Sequence, residues 1–158
     1  MKQVLGGCKT VIGIEENKPE AIAAMTAAVA ELQKTPEDDM LLQIRKTCEY
    51  VKIAFIQRGI LPKQENVAYL LTCAVRECVT NAVRYAEATE LYAIFTETGT
   101  GATVTVTNNG KIPESEIVEG GGLSTLRRRI ERAGGTMTVQ SFPCFKLRVT
   151  VPKRKDDF

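Results

Sequence analysis

The chain has 158 residues, of which 44% are hydrophobic and 25% are charged, and 21 basic against 19 acidic side chains leave a formal charge of +2. This length suits one domain, with or without an appendage, and the composition excludes both a disordered chain and a strongly basic nucleic-acid-binding protein. The sequence contains no histidine. A histidine-ligated metal site, a Ser-His-Asp triad and an imidazole acid or base are therefore excluded within this chain.

Five cysteines, an odd number without a CxxC pair, are typical of reduced and mostly buried thiols in a cytoplasmic protein. Cys73 and Cys78 lie near the apolar stripe of one predicted helix, so we expect them to pack in the core. The sequence has neither an apolar stretch long enough to cross a bilayer nor a signal-peptide pattern. We expect a cytoplasmic location, with any membrane anchor of a longer protein lying outside these residues.

The first third of the sequence is alanine-rich, and residues 1–34 have a helical pattern. Pro19 suits a first helical position. Apolar side chains then recur every three or four residues, at Ile22, Met25, Val29 and Leu32. This pattern is typical of an ordinary amphipathic helix, and equally of a helix that is part of a helical bundle or dimer stalk.

A second helix is predicted to begin at Thr35 and Pro36, since a hydroxyl caps a helix N-terminus and proline suits its first turn. Residues 50–56 are β-branched and aromatic with alternating polarity, which predicts a strand that ends before Gly59. A continued helix is the alternative, because helical spacing persists through Cys48, Val51 and Phe55.

The clearest helical pattern covers residues 66–86, where apolar side chains follow the three-four spacing throughout. The remaining predicted elements are strands at 91–96 and 102–107, a polar loop at 108–122, a helix at 123–133, and strands at 136–141 and 145–151. Hairpin-linked strands with interspersed helices predict an α+β fold, a two-layer α/β sandwich in which a mixed sheet of about five strands carries helices on one face. We divide the chain into a helical segment 1–34, a domain 35–153 and a charged tail 154–158.

Three polar residues lie along one margin of the long central helix. At 100° per residue, Glu77, Asn81 and Arg84 fall within an arc of roughly 60°. Oxygen atoms of a carboxylate and an amide suit Mg²⁺, and a guanidinium suits phosphate. A solvated helix edge is the alternative for these three residues taken alone.

A glycine run, Gly120–Gly122, immediately precedes the next predicted helix. Backbone N–H groups at a helix N-terminus bind anions, and glycine allows a phosphate to approach closely. The run matches neither the GxxxxGK[ST] loop nor a GxGxxG motif after a strand.

Together, three segments in this order resemble the ATP-binding catalytic domain of bacterial sensor histidine kinases. The segments are RECVTNAVRYA at 76–86, VTNNG at 106–110 and GGGLSTLRRRIERAGGTMTV at 120–139. They are similar to the N box and the two Gly boxes of that family, which belongs to the superfamily that includes gyrase and mismatch-repair ATPases. The resemblance covers 61–152 well and implies a Bergerat-type ATP-binding fold.

The resemblance also implies a role for each matching position. Asn81 is the expected Mg²⁺ ligand, Glu77 the acid that positions water or the metal shell or acts as a base, and Arg84 and Tyr85 are expected near the phosphates and lid. Residues 111–119 are the expected lid, mobile without nucleotide. The other implied nucleotide-binding residues are Asn108 at the adenine amino group, Gly110 beside the base, and Gly120, Gly122 and Leu123 at the phosphate end.

Two positions depart from the family pattern. Asn108 stands where the family usually has an aspartate, and a neutral acceptor bonds more weakly than a charged one. Tyr85 replaces a frequent histidine. Because Asn81 and the glycine pair are intact, we expect nucleotide binding to persist, with altered strength at the base.

The implied function is Mg-ATP-dependent transfer of the γ-phosphoryl group to a histidine outside this chain. The implied partners are the phosphoacceptor histidine domain of the same kinase and a downstream response regulator, with a homodimer through the N-terminal helices; residues 1–34 would be the remainder of the phosphoacceptor hairpin. The alternatives are a serine kinase of the anti-sigma-factor type and a nucleotide-binding module without kinase activity.

Overall fold

The computed structural model describes residues 36–154, and the predicted helical segment 1–34 and residues 155–158 of the charged tail lie outside the described residues. The first described helix, α1, is Pro36–Tyr50 and begins at the predicted proline. Leu41, Ile44 and Cys48 are buried along one side of it. The apolar side of α1 therefore faces the core.

The strand predicted at 50–56 was placed too early, because α1 continues to Tyr50 and the first strand, β1, is Ala54–Arg58. The helix ends in a Schellman turn, in which the Ile53 N–H donates to the Cys48 carbonyl at 2.8 Å and the Lys52 N–H donates to Glu49 at 3.2 Å. Lys52 takes the left-handed conformation that such a turn requires, with φ of 64°. Glycine usually occupies this position, so the sequence carried no stop signal there.

The later elements follow the predicted order with boundary shifts of one or two residues. The central α-helix α2 is Glu65–Asn81, and it continues without a break into a π-helical turn, Ala82–Ala86, which we treat as its last, widened turn. The other elements are β2 (Glu90–Glu97), β3 (Gly101–Asn108), α3 (Gly122–Arg132), β4 (Thr136–Gln140) and β5 (Lys146–Pro152).

The five strands form one mixed sheet in the order β1-β2-β3-β5-β4, in which only β1 and β2 are parallel. The pairing places Val104 of β3 opposite Phe95 on one side and Val149 on the other. Helix α2 packs on β3 and β5, and α3 packs on β4 and β5. The predicted α+β two-layer sandwich with a five-stranded mixed sheet is confirmed.

Alternation along the strands separates a buried face from an open one. Leu147, Val149 and Val151 of β5 are buried under the helices, whereas Arg148 between them is exposed. Thr103 and Thr150 share a hydrogen bond of 2.9 Å on the other face. The helical layer therefore covers one side of the sheet.

The cysteines within the described residues behave as core side chains. Cys48, Cys73 and Cys78 are buried free thiols and Cys144 is partly buried. Desolvation, with a smaller contribution from the Glu77 charge, raises the pKa of the Cys78 thiol far above its ordinary value. No helix between residues 36 and 154 is long and apolar enough to cross a membrane.

Candidate functional site

A cleft of about 710 Å³ opens where the end of α2, the loop 109–121 and the start of α3 meet. Every predicted site residue except Gly110 lines this cleft. Those residues are Glu77, Asn81, Arg84, Tyr85, Asn108, Gly120, Gly122 and Leu123. The end of α2 and the start of α3, more than thirty residues apart in the sequence, thus meet at one cavity of the size that small ligands occupy.

The polar margin of α2 borders this cleft, as the helical spacing predicted. Glu77 and Asn81 are half-buried and Arg84 is exposed. Within residues 36–154, no hydrogen bond or ion pair engages the side chains of these three residues. Their carboxylate, amide and guanidinium groups are therefore available to a ligand in the cleft.

The widened last turn of α2 sets the orientation of the next two residues. A π-helical turn admits one more residue than an α-helical turn and occurs often at functional sites. Ala82 and Ala86 are buried by this turn, while Arg84 and Tyr85 are exposed at the cleft. Glu87 then ends the helix in a left-handed conformation with φ of 50°.

The glycine run forms the opposite wall. Gly121 precedes α3 with φ of 53°, and no side chain caps the helix N-terminus. A Cβ built on Gly122 would overlap the Glu77 carboxylate, whereas Gly120 and Gly121 have open space around them. Gly122 is thus the position where a bare backbone lets the acid of α2 lie directly against the start of α3.

The turn after β3 is fixed to the end of α2 by groups that the sequence analysis did not single out. The Asn109 side-chain oxygen accepts from the N–H groups of Thr89 and Glu90 at 2.9 and 2.8 Å, and its nitrogen donates to the Thr89 hydroxyl at 2.8 Å. The Lys111 N–H donates to the Ala86 carbonyl at 2.7 Å. Nothing in the spacing of the sequence signalled these long-range bonds.

Gly110 lies in this turn and packs against the backbone of α2. A Cβ at Gly110 would overlap the carbonyl oxygen and the Cβ of Ala86. This close approach gives a physical reason for glycine here, and the role beside a nucleotide base that the family resemblance implies for Gly110 stays a prediction. Asn108 accepts the Gly110 N–H through its side-chain oxygen at 2.8 Å.

The predicted lid, 111–119, contains no helix or strand. Its far end is attached to α3 and the sheet. Arg127 binds Glu119 through two nitrogens, at 2.8 and 2.5 Å, and donates to the Met137 carbonyl at 2.8 Å. The hydrogen bond from Arg127 holds the pKa of the Glu119 carboxyl below its ordinary value. Arg127 is therefore partly buried and engaged, unlike the outward Arg128, Arg129 and Arg132 of α3.

Apolar side chains complete the cleft. Phe145, at the start of the last predicted strand, precedes β5, is buried, and lines the cleft. Ile112 and Val118 of the lid segment also line the cleft and are largely exposed. No sequence signal indicated that Phe145 faces the cleft, because a core residue and a pocket residue look alike in an alternating strand.

The sequence is similar to a known protein family. The sequence model of the histidine kinase-, DNA gyrase B- and HSP90-like ATPases matches residues 66–155. The sensor histidine kinase YxjM of Bacillus subtilis (strain 168) is 32% identical over 73 residues, which are 46% of this chain and 18% of that protein. The chain therefore spans less than a fifth of the length of this curated relative.

Solved structures of histidine kinases share the fold. The histidine kinase domain of the blue-light activated kinase of Erythrobacter litoralis EL346 has a TM-score of 0.57 at 20% identity, covering 71% of this chain and 62% of that one. The ATP-binding domain of PrrB from Mycobacterium tuberculosis has a TM-score of 0.54 at 18% identity, covering 74% and 93%. With the three sequence motifs gathered on one cleft and a family match over more than half of its length, the chain belongs to the histidine kinase-, DNA gyrase B- and HSP90-like ATPase family.

Proposed function

We propose that the cleft binds Mg-ATP and that the domain transfers the γ-phosphoryl group to a histidine located outside this chain. The observation that carries the proposal is the convergence of the acid, amide and guanidinium of α2 with the uncapped N-terminus of α3 in one cavity. A helix N-terminus and cations stabilise phosphate oxygens, and such electrostatic positioning supplies most of the catalysis in phosphoryl transfer.

The residues present fit a magnesium ion that is shared with a nucleotide. Within residues 36–154 no group of three or more His, Cys, Asp or Glu side chains is placed to hold a metal by itself. Mg²⁺ is commonly held by one or two protein oxygens together with substrate phosphates, and Asn81, with Glu77 one helical turn away, supplies that number. When bound, the ion would neutralise charge on the phosphates.

The other groups of the cleft have separate proposed roles. Glu77 would orient a water molecule or the metal shell, or act as a base, and Arg84 would bind phosphate oxygens. Tyr85 would lie near the phosphates and the lid, and Asn108 would meet the base. The backbone N–H groups at Gly120, Gly122 and Leu123 would bind phosphate, and closure of residues 111–119 would exclude water.

The acceptor and the partners follow from the composition and the relatives. Because the chain contains no histidine, the phosphoacceptor would lie in the histidine domain of the same kinase, with a response regulator as the next acceptor. Residues 1–34, whose sequence has a helical pattern, would form a homodimer. We place the domain in the cytoplasm, where ATP is available. YxjM is a sensor histidine kinase and the Erythrobacter protein is a histidine kinase. These relatives do not favour the serine kinase or the module without kinase activity.

Binding of Mg-ATP to the purified chain tests the first half of the proposal, with Asn81→Ala as the variant. Isothermal titration with and without Mg²⁺ should show magnesium-dependent binding by the wild-type chain and loss of that dependence in Asn81→Ala. Circular dichroism should show the variant folded, because the side chain of Asn81 makes no hydrogen bond to the protein within the described residues. If neither the wild-type chain nor Asn81→Ala bound ATP at millimolar concentration, the proposal would be contradicted.

Phosphoryl transfer tests the second half. ATP labelled at the γ-phosphate should label a segment of the same kinase that bears its phosphoacceptor histidine and lacks this domain, but only when this domain is added. The label should be acid-labile, as expected for phosphohistidine. Replacement of that histidine by glutamine is the matched control. Binding of ATP without any transfer would leave a nucleotide-binding module and would contradict the kinase assignment.

A further inference from the structure

The side chain of Asn108 has one end engaged by the protein and one end available. Asn108 ends β3, lines the cleft and accepts the Gly110 N–H through its side-chain oxygen at 2.8 Å. Within residues 36–154 its side-chain nitrogen donates no hydrogen bond. An amide nitrogen can donate and cannot accept.

The direction of this amide is set by the turn itself. Rotating the amide by 180° would bring its NH₂ group against the Gly110 N–H, so that two donors would face each other and the bond to the turn would be lost. Gly110 cannot move away easily, because its Cα packs on the backbone of Ala86. The group that Asn108 offers to a ligand in the cleft is therefore a donor.

An aspartate at this position would behave differently. A carboxylate has two acceptor oxygens, so one accepts the turn N–H while the other accepts the 6-amino group of adenine. With asparagine, the second oxygen is replaced by an NH₂ group, which would oppose the adenine amino group donor to donor. A 6-oxopurine presents a carbonyl oxygen at the same place, which accepts from an NH₂ group.

We propose that Asn108 is a specificity-determining residue that makes the cleft prefer a 6-oxopurine nucleoside triphosphate over ATP. This inference rests on the proposed function, since it requires a purine nucleoside triphosphate in this cleft with its base at Asn108, and it alters only the identity of the base. The cleft is also lined by Ile112, Pro113 and Phe145, whose apolar side chains do not distinguish an amino group from a carbonyl group.

The test compares inosine triphosphate with ATP, since the two differ only at position 6 and at the adjoining N1. Titration of the wild-type chain with each nucleotide and Mg²⁺ should give inosine triphosphate the lower Kd, by about tenfold, because one hydrogen bond is exchanged for a donor-donor contact. Asn108→Asp should reverse the order, and Asn108→Ala should remove most of the difference.

Purine riboside triphosphate, which has only hydrogen at position 6, is the control nucleotide. The negative charge introduced by Asn108→Asp would weaken the binding of every nucleoside triphosphate. Binding of purine riboside triphosphate measures that general effect. Wild-type binding of ATP as tight as that of inosine triphosphate, or an unchanged order in Asn108→Asp, would overturn the role of Asn108 while leaving nucleotide binding intact. Absence of binding by all three nucleotides would instead overturn the proposed function, and this inference with it.

Discussion

At the scale of single residues, two glycines of the motifs are required for different physical reasons. Gly110 packs against the backbone of Ala86, and Gly122 packs against the carboxylate of Glu77. Backbone cannot yield to an added methyl group, whereas the end of a glutamate side chain can turn aside. The same substitution is therefore expected to affect folding at one position and the site at the other.

Alanine substitutions separate these two reasons. Gly110→Ala is expected to lower the free energy of unfolding by about 1–3 kcal/mol through overpacking. Gly122→Ala is expected to change it by less than about 1 kcal/mol while lowering phosphoryl transfer at least about tenfold, because the Glu77 carboxylate is displaced. Chemical denaturation and transfer rates measure the two effects. Gly99→Ala, where the added methyl group meets open space, is the control, and equal effects of the two test substitutions would contradict this assignment.

At the scale of elements, the lid segment is fixed at both of its ends. Lys111 donates its N–H to Ala86 at the end of α2, and near the other end the Ile117 N–H donates to the Ser141 hydroxyl at 2.9 Å. Glu119 is then bound by Arg127 of α3. The stretch between Lys111 and Ile117 is therefore the part of the lid with most freedom to rearrange around a ligand, and the ion pair holds the segment that follows it.

The Glu119–Arg127 pair predicts a specific pH dependence. Because the folded pKa of Glu119 is lowered, the pair stabilises the fold fully above the ordinary glutamate pKa of about 4.3, and this contribution is lost as the pH falls through the lower, folded value. The two side chains are 24% and 33% exposed, so solvent screening limits the contribution to about 1 kcal/mol or less.

Glu119→Gln should therefore lower the free energy of unfolding at pH 7 and lower it by less at pH 3. Chemical denaturation at the two values of pH measures the difference. Glu116→Gln, at an exposed residue of the same segment with no ion pair among the described residues, should have little effect at pH 7. A loss in Glu119→Gln that is equally large at both values would show that packing, and not charge, is responsible.

At the scale of the whole domain, the cleft joins parts of the chain that the sheet otherwise keeps apart. Glu77 and Asn81 come from α2, Asn108 from the end of β3, and Gly122 from the start of α3. A ligand that contacts all of them binds the folded domain and not the unfolded chain. Ligand binding is therefore expected to stabilise the domain as one unit.

Mg-ATP at about one hundred times its Kd should add about 2.7 kcal/mol to the stability of the domain. The expected observation is a rise in Tm of several degrees in a thermal melt. The rise should be small in Asn81→Ala at the same ATP concentration. An equal rise with Mg²⁺ alone would trace the effect to the ion and contradict a nucleotide in the cleft.

The sequence by itself determined the elements whose signals are local. The uninterrupted apolar spacing specified α2 together with its π-helical turn to within two residues, and β3 and β5 were predicted equally closely. The polar margin at Glu77, Asn81 and Arg84 specified the side of the helix that borders the cleft. The prediction was wrong where the first helix ends, because the residue in the turn is unusual. The Schellman turn that ends α1 uses Lys52 in a position where glycine is common, so the start of β1 was misplaced.

Only the tertiary structure decided what depends on contacts distant in sequence. The bonds of Asn109 to the start of β2 and the fit of Gly122 against Glu77 join residues 19 to 45 positions apart. The place of Phe145 at the cleft likewise depends on the fold. Local periodicity carries no record of such pairs, because it reports which face of an element is apolar and not what that face meets. The direction of the Asn108 amide was decided in the same way, since packing of Gly110 on Ala86 fixes the turn that holds it.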